Sequence, residues 1–309
     1  MQMLTTMITP FCTDGSVDYE TALRYVDFYF DSGIDGIFSV CQSSEIFYLS
    51  LEERVKLNTL VYRRAKELEK KHGRPFTVVS SGHVSDSLEG QAEELNAIWR
   101  SGTDALVLIT NRLDAKNEGD DVFIENCRRL IERLPQDARL GLYECPYPYK
   151  RLVTPKIFDF CLDVGRFDYM KDTCCDAATL LARKKQLEGS AFRLLNANCQ
   201  TLYETMTGGG DGYCGIMCNY HPRLYARLRE LAVSDPERAR RLGDLLGTLG
   251  FIENGLPYPM SAKYHMTLCG IPTEQIARKP DCAPLTEYQM GCVRQLKAIT
   301  DRLEEEFCK

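Results

Sequence analysis

The run FDYMKDTCCD, residues 167–176, ends a short apolar stretch on Lys171, with Thr173 and a cysteine pair just beyond. A lysine at the end of a buried strand must be paired, neutral or chemically employed. Burial favours the neutral amine, and a neutral amine attacks a ketone to form a Schiff base whose iminium acts as an electron sink. That chemistry needs a proton relay and an anchor for a carboxylate. Tyr143, in LGLYECP, offers the phenol for a relay, and Ser43, in CQSSE, adds a hydroxyl. Backbone amides of the turn from Gln42 to Ser44 can cradle an anion. A lone lysine is more often a snorkelling or paired residue. Lysine, tyrosine and serine at three strand ends shift the reading toward catalysis.

Composition narrows the classes. Of 309 residues, 44% are hydrophobic and 27% charged, the balance of a soluble globular enzyme. The net charge is −6, without a Lys/Arg-rich block or basic–aromatic interleaving, so nucleic acid and membrane surfaces are poor candidates as partners. No apolar run approaches the ~18–20 residues that span a bilayer, and MQMLTTMITPF lacks the pattern of a signal peptide. Fourteen cysteines scattered along so long a chain read as reduced thiols, which points to the cytoplasm. The spacing Cys214, Cys218, His221 has no partner pair nearby, so no metal site is expected.

The elements that must position these residues follow from the apolar pattern. Strands are predicted at 4–10, 36–42, 76–82, 105–110, 140–144, 167–172, 192–198 and 212–217. Continuous apolar strands suit a parallel sheet covered on both faces. Between them lie helical patterns. In LEGQAEELNAIWRSG, Leu88, Ala92, Leu95 and Trp99 share a face and Gly102 supplies a stop, while Ser50 and Glu53 form a capping box. Eight strand–helix units favour a closed (β/α)8 TIM barrel over a doubly wound sheet, whose glycine-rich phosphate loop is missing from TPFCTDGSVD. The barrel is assigned to 1–220 as the catalytic part, and 221–309 to a helical region packed on it. Barrel sites form at the C-terminal strand ends, which here carry Gln42–Glu45, His83, Asn111-Arg112, Tyr143-Glu144, Lys171 and Cys214.

In order and spacing, five stretches resemble the dihydrodipicolinate synthase / N-acetylneuraminate lyase family of pyruvate-dependent class I aldolases. They are TPF with DGSVD, CQSSEIFYLSLEER, LYECP, YMKDT and GDGYCGIMCNYHP. The resemblance covers nearly the whole chain. It implies Lys171 as the Schiff-base lysine, Tyr143 as the proton-shuttling phenol, and Ser43 as the hydroxyl that relays to Tyr143. Gln42 stands where the family has a hydroxyl residue in the carboxylate pocket, and Cys214 where a backbone carbonyl approaches pyruvate. It further implies a homotetramer, no cofactor beyond the covalent imine, and pyruvate plus an aldehyde as partners.

Departures from the family pattern bear on the acceptor. Pro148 occupies the place of the arginine that holds the aldehyde substrate's carboxylate in dihydrodipicolinate synthases, with Lys150 and Arg151 just downstream. The loop ITNRLDA has no tyrosine but offers Arg112. Thr173 resembles the sialic-acid lyases, whose acidic pair is replaced by Asn198-Cys199. Gln42, Ser44, Thr173, Cys214, Arg112 and Lys150 are therefore the expected substrate-binding set. The expected activity is an aldol lyase or synthase of unassigned acceptor. The alternatives are a non-catalytic keto-acid or sugar-acid binder and a true 4-hydroxy-tetrahydrodipicolinate synthase of lysine biosynthesis.

Overall fold

Each of the eight apolar runs forms a strand, with helical segments between successive ones, in a computed structural model that describes residues 1–309. The strands are β1 (Gln2–Thr6), β2 (Gly36–Ser39), β3 (Thr77–Ser80), β4 (Ala105–Ile109), β5 (Leu140–Tyr143), β6 (Phe167–Asp172), β7 (Arg193–Asn196) and β8 (Gly212–Gly215). They pair in parallel in chain order, and β8 returns to β1, so the sheet is a closed TIM barrel.

Several strands stop earlier than the apolar pattern predicts, and each early stop opens a loop at the site. β1 ends at Thr6, where Met7 N–H to Phe38 O at 3.1 Å is the last bond to β2, and beyond it the Thr9 hydroxyl donates to Ser44 O at 2.8 Å in the turn after β2. β2 ends at Ser39 because Val40 takes a left-handed φ of 47°, after which Gln42–Ser44 form a 3-10 turn. β8 likewise gives way to a 3-10 turn at Ile216–Asn219.

The helices start and stop where their end residues dictate. The Ser50 hydroxyl accepts from Glu53 N–H at 3.1 Å and the Glu53 carboxylate from Ser50 N–H at 2.9 Å, which fixes the start of the helix Leu51–His72. In the helix Leu88–Ser101 the inner face is Gln91, Ala92, Glu94, Leu95 and Ile98, rotated from the face predicted through Trp99. The rotation buries Glu94 against Arg54, 3.0 Å away, an ion pair that a hydrophobicity pattern does not register.

The helix Pro222–Ser234 lies against β1 and completes the ring around the barrel. Three further helices follow, Pro236–Asn254, Met260–Leu268 and Glu287–Phe307. One hydrophobic cluster of 41 buried residues runs from Met3 and Phe11 through Leu242 to Phe307, so these helices share a core with the barrel. No helix is long and apolar enough to cross a membrane.

Closure of the barrel rests on one glycine. Gly212 pairs with Gln2 at φ +131°, and a Cβ there would lie 1.9 Å from Gln2 O. Gly209 also has a positive φ, +98°, but a Cβ on it would have no neighbour within 4 Å. Gly212→Ala is expected to lose roughly 3 kcal/mol or more in urea unfolding, combining strain with a backbone clash, whereas Gly209→Ala loses about 1. Equal losses would contradict this account of closure.

Candidate active site

Parallel register places Tyr143 of β5 directly beside Lys171 of β6, and residues in register share a face. Both side chains point into the barrel mouth, Lys171 being 5% exposed and Tyr143 3%. The Lys171 side-chain nitrogen, Nζ, lies 4.3 Å from the centroid of the Tyr143 ring and 6.0 Å from that of Phe38. It makes no hydrogen bond or ion pair with any protein group, although other buried cations such as Arg54, Arg183 and Lys263 are each paired with a carboxylate.

The next residue on each strand faces outward, into the space between the sheet and its helices. Glu144 and Asp172 both meet Arg183, at 3.0 and 2.5 Å. The Glu144 carboxylate also accepts from Val153 N–H at 2.8 Å and Thr173 N–H at 2.9 Å, and the Thr173 hydroxyl donates to Glu144 O at 2.7 Å. Burial, with Asp172 close by, pushes the Glu144 carboxyl up to about 7. This network ties the ends of β5 and β6 together, and so fixes the separation of Tyr143 from Lys171.

The turn after β2 supplies the opposite wall. The Tyr143 hydroxyl donates to Gln42 Oε1 at 3.0 Å, and Cys145 Sγ stands 3.5 Å from the same oxygen. The hydroxyl relay expected from Ser43 to Tyr143 is not what the geometry contains. Ser43 Oγ donates instead to Thr6 Oγ1 at 3.1 Å, on the β1 side, because the longer glutamine reaches Tyr143 first. Burial holds the Tyr143 phenol well above its usual range, so it stays protonated. Ser44 is turned away: its hydroxyl donates to Met7 O at 2.6 Å and accepts from Cys41 N–H at 3.1 Å.

These groups open onto a cavity of about 400 Å³ at the C-terminal end of the barrel. Of the expected residues, Lys171, Tyr143, Ser43, Gln42, Thr173 and Lys150 line it. Ser44, Cys214 and Arg112 do not. Cys214 is fully buried behind Lys171, its thiol pushed up to about 11 by burial. Arg112 pairs with Asp86 at 2.7 Å and stacks on the outer face of Phe47, 5.4 Å from the ring centroid, so it buttresses the wall from outside. Arg151 is spent on Asp114 and Asp120, at 2.8 and 2.6 Å. Lys150 donates to Thr173 O at 2.7 Å.

Sequence reasoning missed one side of the cavity. Asn254, Tyr258, Pro259 and Lys279 come from the C-terminal helical region and the strap that follows it. Glu45 explains their presence. Its carboxylate takes Lys263 Nζ at 2.9 Å and the backbone N–H groups of Arg278 and Lys279 at 2.7 and 2.9 Å, which draws residues distant in the chain onto the turn after β2. A buried carboxylate in the turn, with Lys263 in an apolar helix, was the one available signal. Aromatic Phe47 and Tyr147, with ring centroids 5.0 Å apart, form the rim. The lining thus holds three lysine side chains, Lys150, Lys171 and Lys279, and one carboxylate, Glu45, already engaged by three donors. Such a balance suits an anionic compound.

Comparison with known proteins agrees with this architecture. A family model described as the dihydrodipicolinate synthetase family matches residues 1–69. The 4-hydroxy-tetrahydrodipicolinate synthase of Laribacter hongkongensis is 27% identical over 247 residues, 79% of each chain. That of Pseudomonas aeruginosa is 25% identical over 299 residues, 94% of each. Among solved structures, CdNal from Clostridium difficile in complex with mannosamine superposes with a TM-score of 0.84 at 16% identity, covering 97% of this chain and 98% of that one. The chloride-inhibited dihydrodipicolinate synthase from Acinetobacter baumannii, complexed with pyruvate, gives 0.81 at 20%, with 97% and 98% covered. The resemblance read from the motifs is borne out.

His83, read at a strand end as either a substrate contact or a hydrogen-bonded loop histidine, is fully buried, its Nε2 accepting the Ile109 N–H while Nδ1 has no partner. Burial lowers its pKa from 6.5 to about 4. The neutral ring therefore supports folding fully above pH 6.5, and on the order of 3 kcal/mol is lost as pH falls from 6.5 toward 4. In urea titrations across that window, His83→Gln is expected to be less stable than the parent at neutral pH, with the gap narrowing on acidification. A gap independent of pH would show that the ring does not titrate as described.

Proposed function

We propose that this chain, a relative of the dihydrodipicolinate synthases and N-acetylneuraminate lyases, is a lyase that forms a Schiff base between Lys171 and pyruvate or a close 2-oxo acid. The unpaired amine of Lys171 beside Tyr143 carries the reading, because a structural lysine at 5% exposure would be matched by a carboxylate. The nitrogen lone pair attacks the C2 carbonyl, and one amine proton moves to the oxygen to give a carbinolamine. Tyr143 protonates the departing hydroxyl, water leaves, and an iminium and a phenolate remain. The phenolate takes a proton from C3, whose electrons flow into the iminium to give an enamine. The enamine carbon then attacks an aldehyde, and the C4 oxygen of the adduct takes its proton from Tyr143. Hydrolysis of the resulting iminium frees the product. Cleavage is the same sequence reversed.

The lysine-rich lining supports a 2-oxo acid, and the backbone amides of Gln42 and Ser43 are the proposed seat of its carboxylate, the Ser44 amide being held by Cys41 O at 2.9 Å. No arginine lines the cavity, so of the basic residues expected at the acceptor, Lys150, Arg151 and Arg112, this proposal keeps Lys150 and adds Lys279. Relatives named 4-hydroxy-tetrahydrodipicolinate synthase favour a second reading, condensation of pyruvate with aspartate semialdehyde. Fourteen free cysteines accord with a reducing, cytoplasmic setting, and a homotetramer is the proposed assembly, which sedimentation can check.

Borohydride reduction in the presence of pyruvate is expected to label the peptide holding Lys171 and no other, and Lys171→Ala to abolish the label while folding normally. Labelling that is absent, or spread over surface lysines, would end the aldolase reading. Tyr143→Phe keeps the ring and removes the hydroxyl. It should slow adduct formation and carbon–carbon bond chemistry by roughly 10²–10⁴-fold. Unchanged rates would assign the proton to another group. Turnover of pyruvate with aspartate semialdehyde, compared with cleavage of 4-hydroxy-2-oxo acids, separates the two readings.

A further inference from the structure

Gln42 is engaged at one end only. Its Oε1 accepts from the Tyr143 hydroxyl at 3.0 Å, with the Cys145 thiol, which also reaches Tyr147 O, 3.5 Å from the same atom. Its Nε2 has no partner in the protein, on a residue that lines the cavity. Ser43, the neighbouring hydroxyl, faces Thr6 and cannot take its place at Tyr143. An amide differs from a hydroxyl in kind: its carbonyl end accepts, its NH2 end donates, and neither end passes a proton on. With Oε1 occupied, the chain presents to the cavity a donor pair held one amide width from the Tyr143 hydroxyl.

The position of that donor pair is set by the lysine. A compound joined to Lys171 through C2 places C4 three bonds from the nitrogen, about 4 Å away. Lys171 Nζ stands 4.3 Å from the Tyr143 ring centroid, and Gln42 caps the hydroxyl of that ring. Lys171, Tyr143 and Gln42 line the same cavity, so an oxygen on C4 of a bound compound shares that space with the free amide. The carboxylate on C1 extends the opposite way from C2 and is left to the backbone amides of the turn.

We propose that Gln42 is the specificity-determining residue of the site, its Nε2 donating to the oxygen on C4 of a 2-oxo acid bound at Lys171. The inference rests on the Schiff-base reading and deepens it. Gln42 selects compounds that bear a C4 hydroxyl over their 4-deoxy counterparts, because a 4-deoxy compound covers the amide with a methyl group and leaves its N–H groups unpaired. Tyr143, steadied by Oε1, remains the proton donor and acceptor.

The test is a cycle of two proteins against two compounds. Adduct on Lys171 is trapped with borohydride at short times, over a range of concentrations of 4-hydroxy-2-oxobutanoate and of 2-oxobutanoate, and the adducts are told apart by mass. The parent chain should reach half-maximal labelling at about tenfold lower concentration of the hydroxylated compound, the worth of one satisfied hydrogen bond. Gln42→Met, similar in volume, should lose that preference and label equally with both. Gln42→Thr, too short to reach, should do the same, and thermal unfolding shows that each variant is folded. Equal weakening for both compounds, with the preference kept, would overturn the proposal and reduce Gln42 to a support for Tyr143. A parent chain labelled by neither compound would instead remove the Schiff-base reading, and this inference with it.

Discussion

The site depends on an amine buried without a counter-charge. Placing an ammonium among aromatic rings at the end of a barrel strand is costly, and proteins ordinarily offset that cost with a carboxylate. Here the nearby carboxylates are all directed elsewhere. Glu144 and Asp172 face outward to Arg183, and Glu45 is held by Lys263 and two backbone N–H groups. The alternation of side chains along β5 and β6 is what separates the two populations: Tyr143 and Lys171 inward, Glu144 and Asp172 outward. A shift of one residue in that pairing would turn one strand's side chains over and part Tyr143 from Lys171.

Two buried networks keep this arrangement in place. Glu144, Arg183 and Asp172 lock the ends of β5 and β6 and carry Thr173 with them. Glu45 and Lys263 bring the strap at 276–279 over the barrel mouth, where Lys279 joins the lining. The helices after the barrel are therefore part of the site, and their shared core with β1 keeps that wall from moving independently.

Much of this was legible in the sequence. Periodicity located all eight strands, since a strand buried on both faces is apolar throughout, and Lys171 stood out against such a run. Strand ends were less legible: Val40 bends the chain out of β2 although valine favours strands, a choice made by the turn that follows. Side-chain direction was not legible at all. Ser43 and Gln42 are neighbours, and only the folded turn decides that the amide, not the hydroxyl, meets Tyr143. Arg112 looked suited to a carboxylate, but Asp86 and the outer face of Phe47 claim it. The wall formed by Asn254, Tyr258 and Lys279 lay out of reach because no local pattern reports a contact spanning more than two hundred residues, as from Glu45 to Lys279.

The most direct test of the account is a crystal structure of the protein soaked with pyruvate. The account predicts continuous density from Lys171 Nζ to C2, the carboxylate seated on the backbone amides of Gln42 and Ser43, and the Tyr143 hydroxyl within hydrogen-bond distance of the imine. Pyruvate bound without a covalent link, or Lys171 turned away to pair with a carboxylate while pyruvate occupies the cavity, would contradict it.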